Sequence, residues 1–307
     1  MNNNSKVGLI IQGPLISKGR SGFTIVKKFS QLTKEDIINY NCNPNIIDIY
    51  LEYSQEFDDF VCVTWDTEDT SELEHKIGKK AIISIKDTTS HIDPLGTLLP
   101  GNNKYRQFLS TLKGLERLSK NDCKYAIKIR SDINLDLLKV KKYLLNIFKN
   151  KNHSHSILVP GGNLSSPDNV EDLYFASRTD VMIDACKIML DKPEIYRSIH
   201  LDFFYKCAWL LLNKEDSWPP NISYTSEGKF TKDQQLIVKL AWSKIFKSFP
   251  SEIYENLLYR GEKWNPMYDH NLFYSDLKPE DLEDLILDKI KINPFKSIYL
   301  KIKKLIR

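Results

Sequence analysis

Apolar residues fall along this chain in short continuous runs that end in polar clusters. Val7-Gly8-Leu9-Ile10-Ile11 runs into Gln12-Gly13-Pro14, and Phe60-Val61-Cys62-Val63-Thr64-Trp65 into Asp66-Thr67-Glu68-Asp69. Ala81-Ile82-Ile83-Ser84-Ile85 runs into Lys86-Asp87. Continuous Val/Ile/Leu runs suit parallel strands covered on both faces. A fourth run, Tyr125-Ala126-Ile127-Lys128-Ile129-Arg130, alternates and stops at Ser131-Asp132-Ile133-Asn134. Ile157-Leu158-Val159-Pro160 and Asp172 to Ser177 read as two further strands.

Helical spacing fills the intervals. Tyr105 to Leu115 places Phe108, Leu109, Leu112 and Leu115 on one face. Leu135 to Phe148, Arg178 to Met189, His200 to Leu212 and Leu236 to Ile245 are also predicted helices, as is the short stretch around Lys34 to Tyr40. Asn39, Asn41, Asn43 and Asn45 with Pro44 suggest a loop or inserted segment, and Gly19-Arg20-Ser21-Gly22 a flexible polar loop. His91 to Asn103 reads as a long loop, which in a compact domain is functional or disordered. Strands alternating with helices predict an α/β protein with a Rossmann-like, mostly parallel sheet flanked by helices.

In such sheets ligands bind beyond the carboxyl ends of the strands. Gln12, Gly13, Pro14, Thr64, Asp66, Lys128, Arg130, Ser131 and Asp132 sit at those ends and are candidate nucleotide-binding residues. Asn103, Arg106 and Gln107 join them at a helix start, where a phosphate meets free amides. Asp132 and Asn134 form a candidate Mg2+ or Mn2+ site, because hard cations take a few protein oxygens and otherwise bind substrate phosphates. The plainer alternatives stand beside these. Taken alone, Asp132 reads as a cap for the helix after it, Gln12-Gly13-Pro14 as a simple turn, and Arg106 as a solvated helix residue; the convergence of the polar strand ends favours the donor site. His153 and His155 read as a solvated linker rather than a metal site.

Composition narrows the class. The 307 residues are 41% hydrophobic and 27% charged, with a net charge of +4, enough for one large domain or two small ones. The basic excess concentrates in the C-terminal tail instead of forming a stripe through the body, which argues against nucleic acid as a partner. That tail, residues 286–307, is amphipathic and reads either as a peripheral membrane contact or as a helix packed on the domain. Cys42, Cys62, Cys123, Cys186 and Cys207 are odd in number and form no CxxC pair, which suits a reducing cytosol better than a disulfide framework or a zinc site. No Walker A or GxGxxG spacing appears. Downstream, Thr231 to Gln234 has capping-box spacing, and Glu227 and Asp233 are candidate catalytic carboxylates or, equally, a surface charge and a cap.

Taken in order, Ile11-Gln12-Gly13-Pro14, Val63-Thr64-Trp65, Asn103 with Arg106-Gln107 and Ser110-Thr111, Gly114-Leu115, and Lys128-Ile129-Arg130-Ser131-Asp132 resemble the WavE-type family of lipopolysaccharide synthesis proteins, over about residues 7–180. The resemblance implies a GT-A-like glycosyltransferase acting on surface polysaccharide, lipopolysaccharide or capsule, with a nucleotide-sugar donor and a glycan or glycolipid acceptor. It implies a donor half at 1–150, an acceptor half of the same domain at 151–285, and a cytoplasmic setting, peripheral to the membrane if the tail binds there. The family's Asp-x-Asp would hold a divalent cation and the donor diphosphate. Here the matching stretch offers Asp132 and the neutral Asn134, and Arg130 and Lys128 are available to replace part of the metal's charge. Two other functions fit: a non-catalytic nucleotide or sugar-phosphate binding module of a polysaccharide assembly complex, and an alditol-phosphate or sugar-phosphate transferase. On the donor-site reading, Asp132→Ala is expected to abolish transfer while the fold stays intact.

Overall fold

Alternation along the first strand sets the layering. Val7, Leu9 and Ile11 enter one hydrophobic cluster and Ile10 enters the other, as period-two geometry requires of a strand buried on both faces. The computed structural model describes residues 5–24, 31–88, 91–92, 98–99, 103–163, 166–191, 198–213, 238, 241–264 and 268–269. Its first part runs β1 (Val7–Gln12), β2 (Ile16–Gly19), β3 (Ile38–Asn41), α1 (Asn43–Tyr53), β4 (Asp59–Trp65), α2 (Ser71–Ile77) and β5 (Ile82–Ile85). Then come β6 (His91–Ile92), β7 (Leu98–Leu99), α3 (Asn103–Lys120), β8 (Tyr125–Arg130), β9 (Ile133–Asn134), α4 (Leu137–Ile147) and β10 (Ile157–Val159). The remainder is β11 (Gly162–Asn163), β12 (Ser166–Val170), β13 (Tyr174–Arg178), α5 (Thr179–Asp191), α6 (Ile199–Asn213), β14 (Phe246–Ser248), β15 (Leu258–Tyr259), β16 (Glu262–Lys263) and β17 (Tyr268–Asp269).

Seven strands form the central sheet in the order β14-β10-β13-β8-β1-β4-β5. The stretch β8-β1-β4-β5 is parallel, and β13 is antiparallel to both of its neighbours. The protein is therefore a mixed α/β fold with a mostly parallel sheet between helical layers, as its sequence pattern predicts. Residues of α1, α2 and α4 share one cluster with the sheet, and residues of α3, α5 and α6 share the other. All five cysteines are buried and free, small hydrophobes in the core. No helix among the described residues is long and apolar enough to cross a membrane.

Four local readings change. The Asn-rich segment belongs to helix α1, with Pro44 in its first turn, where proline's missing N–H costs nothing. Helix character around residues 34–40 shrinks to a 3-10 turn at Lys34–Asp36 followed by β3. Helix α4 starts at Leu137, capped by Asp136, whose side chain accepts from Lys139 N at 2.9 Å. Asp132 caps no helix. Within the long loop, residues 91–92 and 98–99 pair as a two-stranded ribbon.

Candidate functional site

From β1 the chain steps to β4 and β5 on one side and returns as β8 on the other. That reversal makes the carboxyl end of β1 a topological switch point, where open α/β sheets form a crevice. The register sets Gln12 opposite Arg130 on one side and Val63 on the other, so the polar ends of three strands converge.

A cavity of about 460 Å3 opens there. Its walls are Gln12-Gly13-Pro14, Ile16-Ser17-Lys18, Trp65, Glu68, Asn103, Arg106, Gln107, Arg130, Ser131 and Arg260. Ser131 joins the ends of β8 and β1: its N–H donates to Gln12 O at 2.9 Å and its hydroxyl to Pro14 O at 2.8 Å. Gly13 takes φ +137°, and a Cβ there would stand 2.7 Å from Ser131 Oγ, so only glycine fits this corner. The Gln12 carboxamide accepts from Ser110 Oγ at 2.8 Å, which fixes it against α3. Asn45 Nδ2 donates to Ser131 O and Ile133 O, at 2.8 and 3.0 Å, and pins the turn from the α1 side.

Asp132 lies just behind this wall with its side chain 1% exposed. Arg130 grips it with Nε to Oδ1 at 3.0 Å and Nη2 to Oδ2 at 2.7 Å. Ser17 Oγ donates to Oδ2 at 2.6 Å, and Arg260 Nε stands 3.1 Å from the same oxygen. Burial pushes the carboxyl up, but the Arg130 charge and hydrogen bonds, with Arg260 and Ser17, outweigh burial and hold it below the usual carboxylate range. Both oxygens are thus taken by cationic donors. Asn134, the other expected metal ligand, sits in β9, whose backbone pairs with β15. A divalent cation at Asp132 would have to displace two guanidinium groups, so the donor set does not fit one.

Arg260 comes from far along the chain. β15 and β16 form a hairpin with Tyr259 opposite Glu262. Its two turn residues, Arg260 and Gly261, have φ +49° and +78°, the sign pattern of a type I′ turn. The hairpin pairs with β9, and Arg260 N–H donates to Asp132 O at 2.8 Å. Its Nη1 donates to Arg20 O. The segment 19–22 is therefore not a free loop. Gly22 N–H donates to Tyr259 O, the Ser21 hydroxyl bonds Glu262, and a Cβ on Gly19 would meet Arg260 Nη1 at 2.5 Å.

Arg106 stands over the Trp65 ring, 4.2 Å from its centroid, with Nε 3.0 Å from Asp87 Oδ2. Glu68 supplies a carboxylate that accepts from Leu15 N–H, and burial raises its pKa.

Most of the expected strand-end residues meet in the cavity wall: Gln12, Gly13, Pro14, Asn103, Arg106, Gln107, Arg130 and Ser131. Thr64 is fully buried in β4 and does not line it. Asp66 is exposed, and its N–H donates to Ile85 O; Trp65 and Glu68 take the position expected of it. Lys128 does not line the cavity. It is fully buried, donates to Asp172 O at 2.6 Å, and lies over the Phe175 ring at 4.9 Å. Glu227, Asp233 and the tail 286–307 lie outside the described residues.

Residues whose roles the sequence did not disclose are Ser17, Lys18, Glu68 and Arg260. The Gly261 turn between Leu258-Tyr259 and Glu262-Lys263 was a legible hairpin signal, though nothing in it pointed to Asp132. Glu171, Asp172 and His200 also come together, with potential ligand atoms all within 4.8 Å of one another. None of the three lines the cavity.

No protein-family profile and no curated protein matches this chain. Solved structures match its fold distantly. A mannose-1-phosphate geranyltransferase from Thermus thermophilus is 8% identical, over 65% of this chain and 67% of that one, with a TM-score of 0.32. A protein described as a nucleotide-diphospho-sugar transferase from Desulfovibrio desulfuricans is 8% identical over 76% and 97%, with a TM-score of 0.35. A cytidylyltransferase from Leptospira borgpetersenii is 12% identical over 95% and 97%, with a TM-score of 0.37. Likenesses of this order decide nothing about chemistry, which the cavity itself must answer.

Proposed function

We propose that this protein is a nucleotide-sugar-dependent glycosyltransferase that holds the donor diphosphate in the cavity at the ends of β1, β4 and β8. One observation carries the reading. At the switch point of the sheet, Lys18, Arg106, Arg130 and Arg260 line a crevice that contains a single carboxylate, Glu68, among its described lining residues. Sugar transfer releases a nucleoside diphosphate, and fixed positive charge aimed at the leaving group lowers the barrier. Deprotonation of the acceptor hydroxyl needs a base, for which Glu227 and Asp233 are the proposed residues. The acceptor is a glycan or glycolipid of surface polysaccharide, a choice supported by the motif resemblance in residues 7–180. The cytoplasmic setting, with the basic tail at the membrane face, belongs to the same proposal.

A thermal-shift screen with UDP-, GDP- and CMP-sugars tests the binding step, since a ligand of the folded state raises Tm by mass action. A Tm unmoved by every nucleotide would remove the reading. A second reading, a non-catalytic nucleotide-binding module, is favoured by Glu68, the one carboxylate among the described lining residues, having an oxygen engaged by Leu15 N–H. Binding without turnover of any donor distinguishes it. Transfer of a phosphate-linked unit from a CMP-linked donor would instead identify a phosphotransferase.

A further inference from the structure

We infer, resting on the nucleotide reading of the cavity, that the diphosphate is held by guanidinium groups and not through a divalent cation, with Asp132 as the residue that positions them. Three hydrogen bonds already converge on the Asp132 carboxylate, two from Arg130 and one from Ser17, and Arg260 Nε, which donates to Ser17 Oγ, stands 3.1 Å from Oδ2 as a second cation. A metal ion at this carboxylate would compete with two guanidinium groups that already neutralise it, and displacing them would leave largely buried charges unpaired.

The same geometry equips Arg130 to bind an anion. Its Nε and Nη2 are committed to Asp132, which fixes the plane of the guanidinium. Its side chain keeps 23% exposure in a cavity-lining position. A planar fork held on one edge by a carboxylate presents its other edge to phosphate oxygens with little ordering cost. Arg106, 18% exposed and stacked on Trp65, flanks the crevice from α3, and Lys18 stands exposed at its rim. Arg260 is 7% exposed, and its guanidinium donates to the carbonyls of Arg20 and Lys18. It therefore braces the β2 wall and adds charge from behind. The Glu171, Asp172 and His200 group lines no part of the cavity.

Calorimetric titration of the full chain with inorganic pyrophosphate, UDP, GDP and CDP, in excess EDTA and again in Mn2+, tests this directly. At least one of these is expected to bind in EDTA with a Kd within about twofold of its value in Mn2+. Arg130→Lys, which keeps the charge and loses the fork, is expected to weaken that binding roughly ten- to a hundredfold in both buffers. Binding that appears only with Mn2+ would overturn the inference and leave the nucleotide reading standing. Full affinity in Arg130→Lys would overturn it in the same way. An absence of binding by all four probes in both buffers would overturn both.

Discussion

Arg260 reaches Asp132 twice: its backbone N–H donates to the Asp132 carbonyl at 2.8 Å, and its Nε lies 3.1 Å from Oδ2. The carboxylate therefore holds together two arginines far apart in sequence, and its removal affects more than a ligand contact.

Asp132→Ala is expected to destabilise the protein by up to about 3 kcal/mol, because it leaves the largely buried Arg260 and the partly exposed Arg130 without their shared carboxylate. The expectation of an inactive but intact variant gives way to one of weakened folding. Urea unfolding followed by far-UV circular dichroism measures it, and a midpoint equal to that of the wild type would refute the ion-pair account.

Asp136→Ala provides a contrast four residues on. Asp136 is the N-cap of α4, and losing it is expected to cost about 1 kcal/mol with no change in pyrophosphate or nucleotide affinity. An affinity change in this variant would mean that the cap and the cavity are coupled in a way the geometry does not show.

Gly13→Ala places a Cβ 2.7 Å from Ser131 Oγ at a backbone φ of +137°. The strain is expected to cost about 1–3 kcal/mol and to spread the joined ends of β1 and β8. The nucleotide-induced rise in Tm should shrink as well as the Tm itself. A fall in Tm alone, with the nucleotide response kept whole, would place Gly13 outside the binding wall.

Lys128 is a test by pH. Burial lowers its pKa to about 7 from 10.5, so between those values the folded chain holds fewer protons at this site than the unfolded chain. Stability from this group therefore rises with pH across that window, and the cost of burying the ammonium is felt in full below about 7. Lys128→Met removes the titration. The stability difference between variant and wild type should favour the variant most at neutral pH and shrink toward about pH 10. A difference that stays flat over this range would contradict the assignment.

The sheet was legible because its strands are continuous apolar runs punctuated by polar ends, and that pattern survives without knowledge of partners. The same logic recovered most of the cavity wall, since Gln12, Arg130 and Ser131 had to meet wherever parallel strands end together. Asp66 was misplaced because pleat direction decides which strand-end side chains face the crevice, and Lys128 because it sits two residues deeper in β8 than Arg130, on the same face but in the core. Arg260 could not be found by periodicity. Its contact with Asp132 depends on a two-residue turn docking against β9, a tertiary event with no local mark at Asp132. The metal expectation had the same blind spot, because one carboxylate after a strand looks alike whether its partner is an ion or a pair of arginines.

The hydrogen bond between Arg260 Nε and the Ser17 hydroxyl spans 243 positions. During synthesis the first four strands of the parallel sheet emerge long before the hairpin that completes their binding end. Until residue 260 has left the ribosome, Asp132 has Arg130 and Ser17 but not its second cation, and the β2 wall lacks its brace. Completion of the pocket thus waits for residue 260, and a truncated chain ending near residue 250 would carry all seven strands of the central sheet while lacking a finished pocket.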